Sequence, residues 1–207
     1  MQRHARCKLA LAGGSTPRPV YEALSGPPFG AGIEWSAIDI YFGDERCVLP
    51  DDERSNYRMA RAALLDRVAI RAASVHRMKG EYPDPDVAAR EYERLLPTRL
   101  GVLLLGMGDD GHTASLFPNS PALAERERRV IAVRAPTAGP MRLTMTPPVI
   151  AAAEQVIVLI AGGGKATTVA RALEGPYRPD ELPVQLALGG IWILDTDAAR
   201  VLHGTSK

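Results

Sequence analysis

The sequence predicts an α/β protein, with a mostly parallel sheet and helices on both faces. Three observations predict it. Short apolar runs alternate with amphipathic helical stretches along the chain, the pattern of βαβ units. The runs at 102–105 and 156–161 are apolar at every position, as strands buried on both faces of a parallel sheet are. Two of the runs end in glycine turns that open a helix, at Gly13-Gly14 and at Gly162-Gly163-Gly164.

The elements follow in order. A first strand is expected at 8–12 and a helix at 17–25. Ser15 or Thr16 stands where a cap belongs, and Pro17 suits the first turn because its missing N–H is not needed there. A strand at 38–42 runs into a charged loop at 43–46. A helix over 55–68 follows, capped by Ser55. A strand at 75–78, a helix at 86–96 and a strand at 102–105 lead to a loop with three glycines. A strand at 130–133 precedes a proline-rich link and a helix at 147–153. The strand at 156–161 feeds a helix at 165–173, and a strand at 191–194 closes the series. Segments 26–32, 83–85 and 175–183 are rich in Pro and Gly and read as connections. Residues 1–207 are therefore expected to form one domain. Nothing before Lys8 is long enough for the helix that often covers the first strand of a doubly wound sheet.

Composition narrows the function. The chain has 207 residues, enough for a sizeable core without staples. Its net charge is +1, so no broad field points to nucleic acid or a membrane as partner, and any anion site must be local. Cys7 and Cys47 have no metal-ligand spacing and read as buried or free thiols in a reducing compartment. No apolar run reaches the ~18 residues of a membrane span, and no signal peptide is read before the first strand. A cytoplasmic protein is expected.

Four loops carry possible chemistry. Gly13, Gly14, Ser15 and Thr16 follow the first strand; they read either as a phosphate cradle at a helix start or as a tight, well-capped turn. Asp44, Glu45 and Arg46 follow the second run. Arg46 can hold a phosphate bidentately, with Asp44 or Glu45 orienting it or taking a sugar hydroxyl; the other reading is a solvated charged loop. The third loop, Gly106 to Ser115, holds His112 in a Gly-Asp-Gly frame. A neutral imidazole can take a proton from water at physiological pH, and Asp110 is placed to hold the ring. The competing reading is an inert structural histidine. Met107, Leu116 and Phe117 read as packing residues, and His4, His76 and His203 sit in no comparable frame. In the fourth loop Lys165 opens a helix without the P-loop spacing. Arg142, expected just before a helix, is a further cation.

In a parallel sheet these strand ends lie on one edge, where ligands bind. No ligand spacing for a metal, no GxGxxG fingerprint and no GxSxG elbow is present. The residues alone therefore point to an enzyme acting on a small phosphorylated metabolite by acid–base chemistry, with no metal and no cofactor expected.

At this point the chain resembles the 6-phosphogluconolactonase family. The matching pieces are Leu11-Ala12-Gly13-Gly14-Ser15-Thr16-Pro17, Gly43-Asp44-Glu45-Arg46 with Ser55-Asn56-Tyr57, Leu105-Gly106-Met107-Gly108, Asp110-Gly111-His112-Thr113-Ala114-Ser115-Leu116-Phe117-Pro118, Arg142-Leu143-Thr144 and Gly162-Gly163-Gly164-Lys165-Ala166. They stand in the family's order. The resemblance implies a Rossmann-like fold, shared with glucosamine-6-phosphate deaminases, without the usual N-terminal helix. It implies hydrolysis of 6-phospho-D-glucono-1,5-lactone, with a phosphorylated sugar lactone as the partner and a monomer or homodimer as the assembly. His112 is then the base that activates water, and Asp110 its positioning partner. Gly13, Gly14, Ser15, Thr16, Asp44, Arg46, Arg142 and Lys165 grip phosphate and sugar. Two departures touch loop geometry: Gly101 stands where many members carry aspartate, and Asp109 where proline is common. Two rivals are an amino-sugar-phosphate deaminase or isomerase and an inactive sugar-phosphate binder. The first needs a carboxylate shortly after the histidine, and residues 113–123 contain none.

Overall fold

The computed structural model describes residues 6–203. In chain order these form β1 (Cys7–Leu11), α1 (Pro17–Leu24), β2 (Ile38–Phe42), β3 (Asp44–Arg46), α2 (Asn56–Ala63) and α3 (Pro85–Leu95). Next come β4 (Val102–Leu105), β5 (Val130–Arg134), β6 (Met141–Met145) and α4 (Pro147–Ala152). β7 (Gln155–Ile160), α5 (Ala166–Glu174), β8 (Ile191–Leu194) and α6 (Thr196–Ala199) complete the series. Strands β2-β1-β4-β7-β8 form one parallel sheet in that order. The sequence-predicted class therefore stands.

The winding explains where a ligand fits. From β1 the chain moves outward to β2 on one side, then returns to build β4, β7 and β8 on the other. Right-handed crossovers in opposite directions put their helices on opposite faces. The reversal opens a crevice between the carboxyl ends of β1 and β4, the switch point of a doubly wound sheet. Ala10, Leu103 and Val158 fill the sheet centre and are fully buried. Helix faces follow helical spacing: Pro17 and Tyr21 on α1, Ala88, Ala89 and Tyr92 on α3, and Ala166, Val169 and Ala172 on α5 point inward.

A second, antiparallel sheet in the order β3-β6-β5 corrects the expectations for two segments. Residues 44–46 are a strand rather than a loop, and Arg142 lies on a strand rather than at a helix approach. Gly43 joins the two sheets: its N–H donates to Leu11 O (2.9 Å) and its carbonyl accepts from Met145 N (2.9 Å). Residues 75–78 form no strand. Val75 makes one isolated bridge to Ile40, and Met78 then turns into the core. The helix predicted over 55–68 stops at Ala63, because Leu64 leaves helical geometry (φ −137°, ψ −61°) and a short 3-10 turn, Leu65–Arg67, follows. Ser55 does cap α2, accepting from Arg58 N. Neither Ser15 nor Thr16 caps α1. Thr16 is already helical (φ −66°, ψ −48°), so its hydroxyl cannot reach back to the first turn. Among the described residues no helix is long and apolar enough to cross a membrane. Cys7 and Cys47 are free thiols; His4 lies outside the described residues.

Candidate active site

One cleft of about 170 Å³ opens at the switch point. Gly13, Gly14, Ser15, Thr16, Asp44, Arg46, His112, Arg142 and Lys165 all line it. Asp110 stands behind the wall, bonded to His112. Segments far apart in sequence thus meet around one space.

The turn after β1 forms the floor. Gly14 sits at φ +102°, a conformation that favours glycine. The amides of Gly13, Gly14, Ser15 and Thr16 donate to no protein acceptor among the described residues. Pro17 and Pro19 remove two further N–H groups from the first turn of α1. The anion-seeking donors are thus concentrated in the turn itself. Two buried tyrosines fix the strand ends from below. Tyr21 Oη donates to Ala12 O (2.8 Å) and accepts from Ala12 N (2.9 Å). Tyr92 Oη does the same for Phe42, at 3.2 and 2.8 Å. Burial pushes both phenols well above their ordinary range, so each stays a neutral hydroxyl that donates and accepts at once.

His112 lies on the other wall. Its Nδ1 is 2.6 Å from Asp110 Oδ1, which also accepts from His112 N (3.1 Å). An ionised carboxylate only accepts, so Nδ1 carries the hydrogen and Nε2 keeps its lone pair. Nε2 has no protein partner among the described residues. The ring rests over Gly108, where a Cβ would lie 2.1 Å from it. The ring also meets Phe117 at a tilt of 48°, centroids 4.8 Å apart. Phe117 also lies 5.6 Å from the Arg142 guanidinium, so one ring supports both groups. Ala114, next but one to His112, has φ +48°. That left-handed backbone strains a residue with a Cβ, and it is held by Thr113 Oγ1 donating to Gly106 O (2.8 Å) and by Ser115.

The cations are arranged against their own repulsion. Arg46 on β3 stands directly opposite Arg142 on β6. Like charges at paired strand positions destabilise a sheet. Burial draws the Arg142 guanidinium below its ordinary range, and Arg46 pulls the same way. Arg142 Nε is buried without a partner. Lys165 Nζ donates only to Met107 O (2.6 Å). Neither Arg46 nor Lys165 has a carboxylate within 4 Å among the described residues, and Arg142 is 3.9 Å from Asp44. Three cations therefore face the cleft with one carboxylate beside them.

That carboxylate, Asp44, is already engaged. It accepts from Ser115 Oγ (2.7 Å) and Asn56 Nδ2 (3.0 Å), and it orders the wall more than it offers itself to a ligand. Glu45 points away from the cleft. It accepts from the amides of Arg46, Asn56 and Tyr57 and from Ser55 Oγ, fixing α2 to β3. Burial nevertheless raises its pKa above the ordinary carboxylate value. Asn56, Ser115, Phe117, Tyr21 and Tyr92 were not named as site residues from sequence. Asn56, Ser115 and Phe117 stand inside the quoted motifs, which is the one signal that could have found them.

Fold and cleft together define a class: a doubly wound α/β protein whose switch point holds a glycine turn with unpartnered amides, three cations beside one carboxylate, and a carboxylate-backed imidazole. Comparison with known proteins narrows it. Residues 1–192 match the family described as glucosamine-6-phosphate isomerases/6-phosphogluconolactonase. The chain is 39% identical over 208 residues to the 6-phosphogluconolactonase of a Synechocystis strain, covering 94% of this chain and 84% of that protein. A solved 6-phosphogluconolactonase from Trypanosoma cruzi superposes with a TM-score of 0.81 at 30% identity, over 96% of this chain and 85% of that one. A monomeric glucosamine-6-phosphate deaminase shares the fold, with a TM-score of 0.85 at 21% identity over 97% and 90% of the two chains. The chain belongs to the glucosamine-6-phosphate isomerase/6-phosphogluconolactonase family.

Proposed function

We propose that this protein hydrolyses 6-phospho-D-glucono-1,5-lactone to 6-phospho-D-gluconate, as a carboxylic-ester hydrolase. The observation that carries the reading is an imidazole with a free Nε2, backed by Asp110, in the same cleft as three cations and four unpartnered amides. The 6-phosphate is taken by the turn 13–16 with Lys165, Arg46 and Arg142, which places the lactone carbonyl toward His112. Nε2 accepts a proton from water while the water oxygen bonds to the carbonyl carbon. The ring C–O bond then breaks, and the ring oxygen leaves as a hydroxyl with the proton that the imidazolium returns. Asp110 holds the tautomer and stabilises the transient imidazolium. A six-membered lactone is a reactive ester, so a base and orientation are sufficient catalysis.

The deaminase alternative is disfavoured by the same cleft. Its chemistry needs a carboxylate free to move a proton at C2. Asp44 is the one carboxylate lining the cleft, and it is bound by Ser115 and Asn56 beside Arg142. The test is acid release from the lactone, followed at constant pH above the spontaneous rate, for wild type and His112→Ala. We expect kcat to collapse in the variant while affinity for 6-phosphogluconate is kept. Equal turnover removes His112 from the mechanism. Conversion of glucosamine 6-phosphate without lactone turnover installs the deaminase instead.

A further inference from the structure

Asn56 joins three walls of the cleft. Its backbone N–H is pinned to Glu45 Oε1 (2.7 Å) at the start of α2, and its side chain is buried. Nδ2 donates to Asp44 O (2.9 Å) and Asp44 Oδ1 (3.0 Å). Oδ1 accepts from Arg46 Nη1, which also donates to Arg54 O (3.0 Å). The amide lies flat on the backbone of Gly13, where an added Cβ would fall 1.9 Å from Oδ1.

From this placement we propose that Asn56 is the positioning residue for Arg46, holding its guanidinium at the cleft while keeping it out of an ion pair with Asp44. The proposal rests on the reading of the cleft as a phosphosugar site. The chemistry of the amide is what the position needs. One end must donate to a carboxylate, and the other must accept from a guanidinium. Aspartate would accept from Arg46 but repel Asp44 and neutralise the cation. A cationic residue would satisfy Asp44 and repel Arg46. A side chain too short to reach would free Arg46 to swing toward Asp44, the carboxylate that lines the same cleft. With asparagine in place, Asp44 is satisfied by Asn56 and Ser115, and Arg46 is ordered with its charge uncompensated. A guanidinium held in this way loses little freedom when a phosphate arrives. The same contact explains why residue 13 lacks a side chain: Asn56 occupies the space that one would fill.

A double-mutant cycle tests it on the full chain with Asn56→Ala, Arg46→Ala and the pair. The readouts are kcat/KM for the lactone, the Kd of 6-phosphogluconate by calorimetry, and Tm. In the parent, Asn56→Ala should lower kcat/KM and weaken 6-phosphogluconate binding by about tenfold, the scale of one lost charge-assisted contact. In the Arg46→Ala background it should change either by less than about twofold. Equal losses in both backgrounds overturn the proposal, because Asn56 then acts through the fold. Asn56→Ser is run beside it, so that a poorly folded alanine variant does not end the test; the same coupling to Arg46 is required of it. Failure of the wild type to turn over lactone refutes the lactonase reading only, since the cycle on 6-phosphogluconate affinity still decides the role of Asn56. Wild-type affinity in the Asn56 variants refutes the positioning role itself.

Discussion

Asp110→Asn is the substitution that separates a working base from a merely well-placed histidine. The Asp110 carboxylate receives His112 Nδ1–H at 2.6 Å and the His112 amide at 3.1 Å. A hydrogen bond to a charged group contributes about 1.5–3 kcal/mol, a neutral one about 0.5–1.5. Exchange of carboxylate for amide thus removes roughly 1–2 kcal/mol even when the amide oxygen faces the ring. A second effect appears only when the ring is protonated. Opposite charges about 4 Å apart attract by ~1 kcal/mol in water and ~4 kcal/mol at an effective dielectric near 20. The Asp110 side chain is 48% exposed, which sets this contribution near the lower figure. Together these are about 2–3 kcal/mol, or roughly 30- to 150-fold in kcat. The loss is smaller than in sites whose carboxylate is fully buried, because water can partly replace Asp110.

The assay is the initial rate of acid release, with Tm and the Kd of 6-phosphogluconate measured beside it. Asp110 does not line the cleft, so KM and Kd should stay within about twofold while kcat falls. In a His112→Ala background the same substitution should do nothing further, since its effect runs through the ring. A wild-type kcat in Asp110→Asn, or a loss carried by KM alone, refutes the tautomer argument.

Three other outcomes are expected. Lys165→Ala should raise KM more than it lowers kcat, because its Nζ touches only the Met107 carbonyl and faces the ligand space; a pure kcat effect would contradict a gripping role. Gly13→Ala forces a Cβ into the Asn56 amide and should destabilise by about 1–3 kcal/mol. Calorimetry should find Tm lowered by several degrees, and an unchanged Tm would mean that Asn56 steps aside freely. Asp39→Asn removes the Arg6–Asp39 pair (2.8 Å). The hydrogen bonds of Arg6 hold Asp39 below its ordinary value of 3.8. Near that value the unfolded chain takes up the proton first, so this contribution is complete above about pH 5 and fades as pH falls through the lowered native value. The Tm gap between wild type and variant should therefore be open at pH 7 and close in strong acid; a gap that widens on acidification would reverse the sign.

What could be read from the sequence follows from how locally each feature is determined. Residues 38–42, 102–105 and 191–194 were readable as strands because each is a short, largely apolar run in a βαβ series, and all three match their strands in the structure. Asp44-Glu45-Arg46 carries no such signal. Three consecutive charged residues are a strand only because Asp44 pairs with Thr144 and Arg46 with Arg142, a fact about residues almost a hundred positions away. The run at 75–78 has the opposite fault. Its composition is strand-like, but it touches β2 at one bridge and leaves, since Met78 is drawn into the core. The cap expected at Ser15 or Thr16 failed on a backbone angle that composition does not encode.

The candidate site divides along the same line. The glycine turn, His112 and Lys165 follow parallel strands, and the rule that such strands end on one edge brings them together without further information. Arg142 and Asp44 arrive by another route, through an antiparallel pair whose register sets two guanidiniums opposite each other. Sequence reasoning could name each as a candidate from its charge, but only the resemblance put both in one site, because nothing near them in the chain requires the meeting. Asn56, Tyr21 and Tyr92 are less visible still: each is a buried polar group whose meaning is its partner, Asp44 and Arg46 for the first, strand ends for the others. Yet the paired arginines say the most about purpose. A fold selected for stability alone would place a carboxylate between Arg46 and Arg142. This one binds Asp44 to Ser115 and Asn56, gives Arg142 only a long 3.9 Å contact with it and gives Arg46 no carboxylate within 4 Å among the described residues, an arrangement suited to a multiply charged anion.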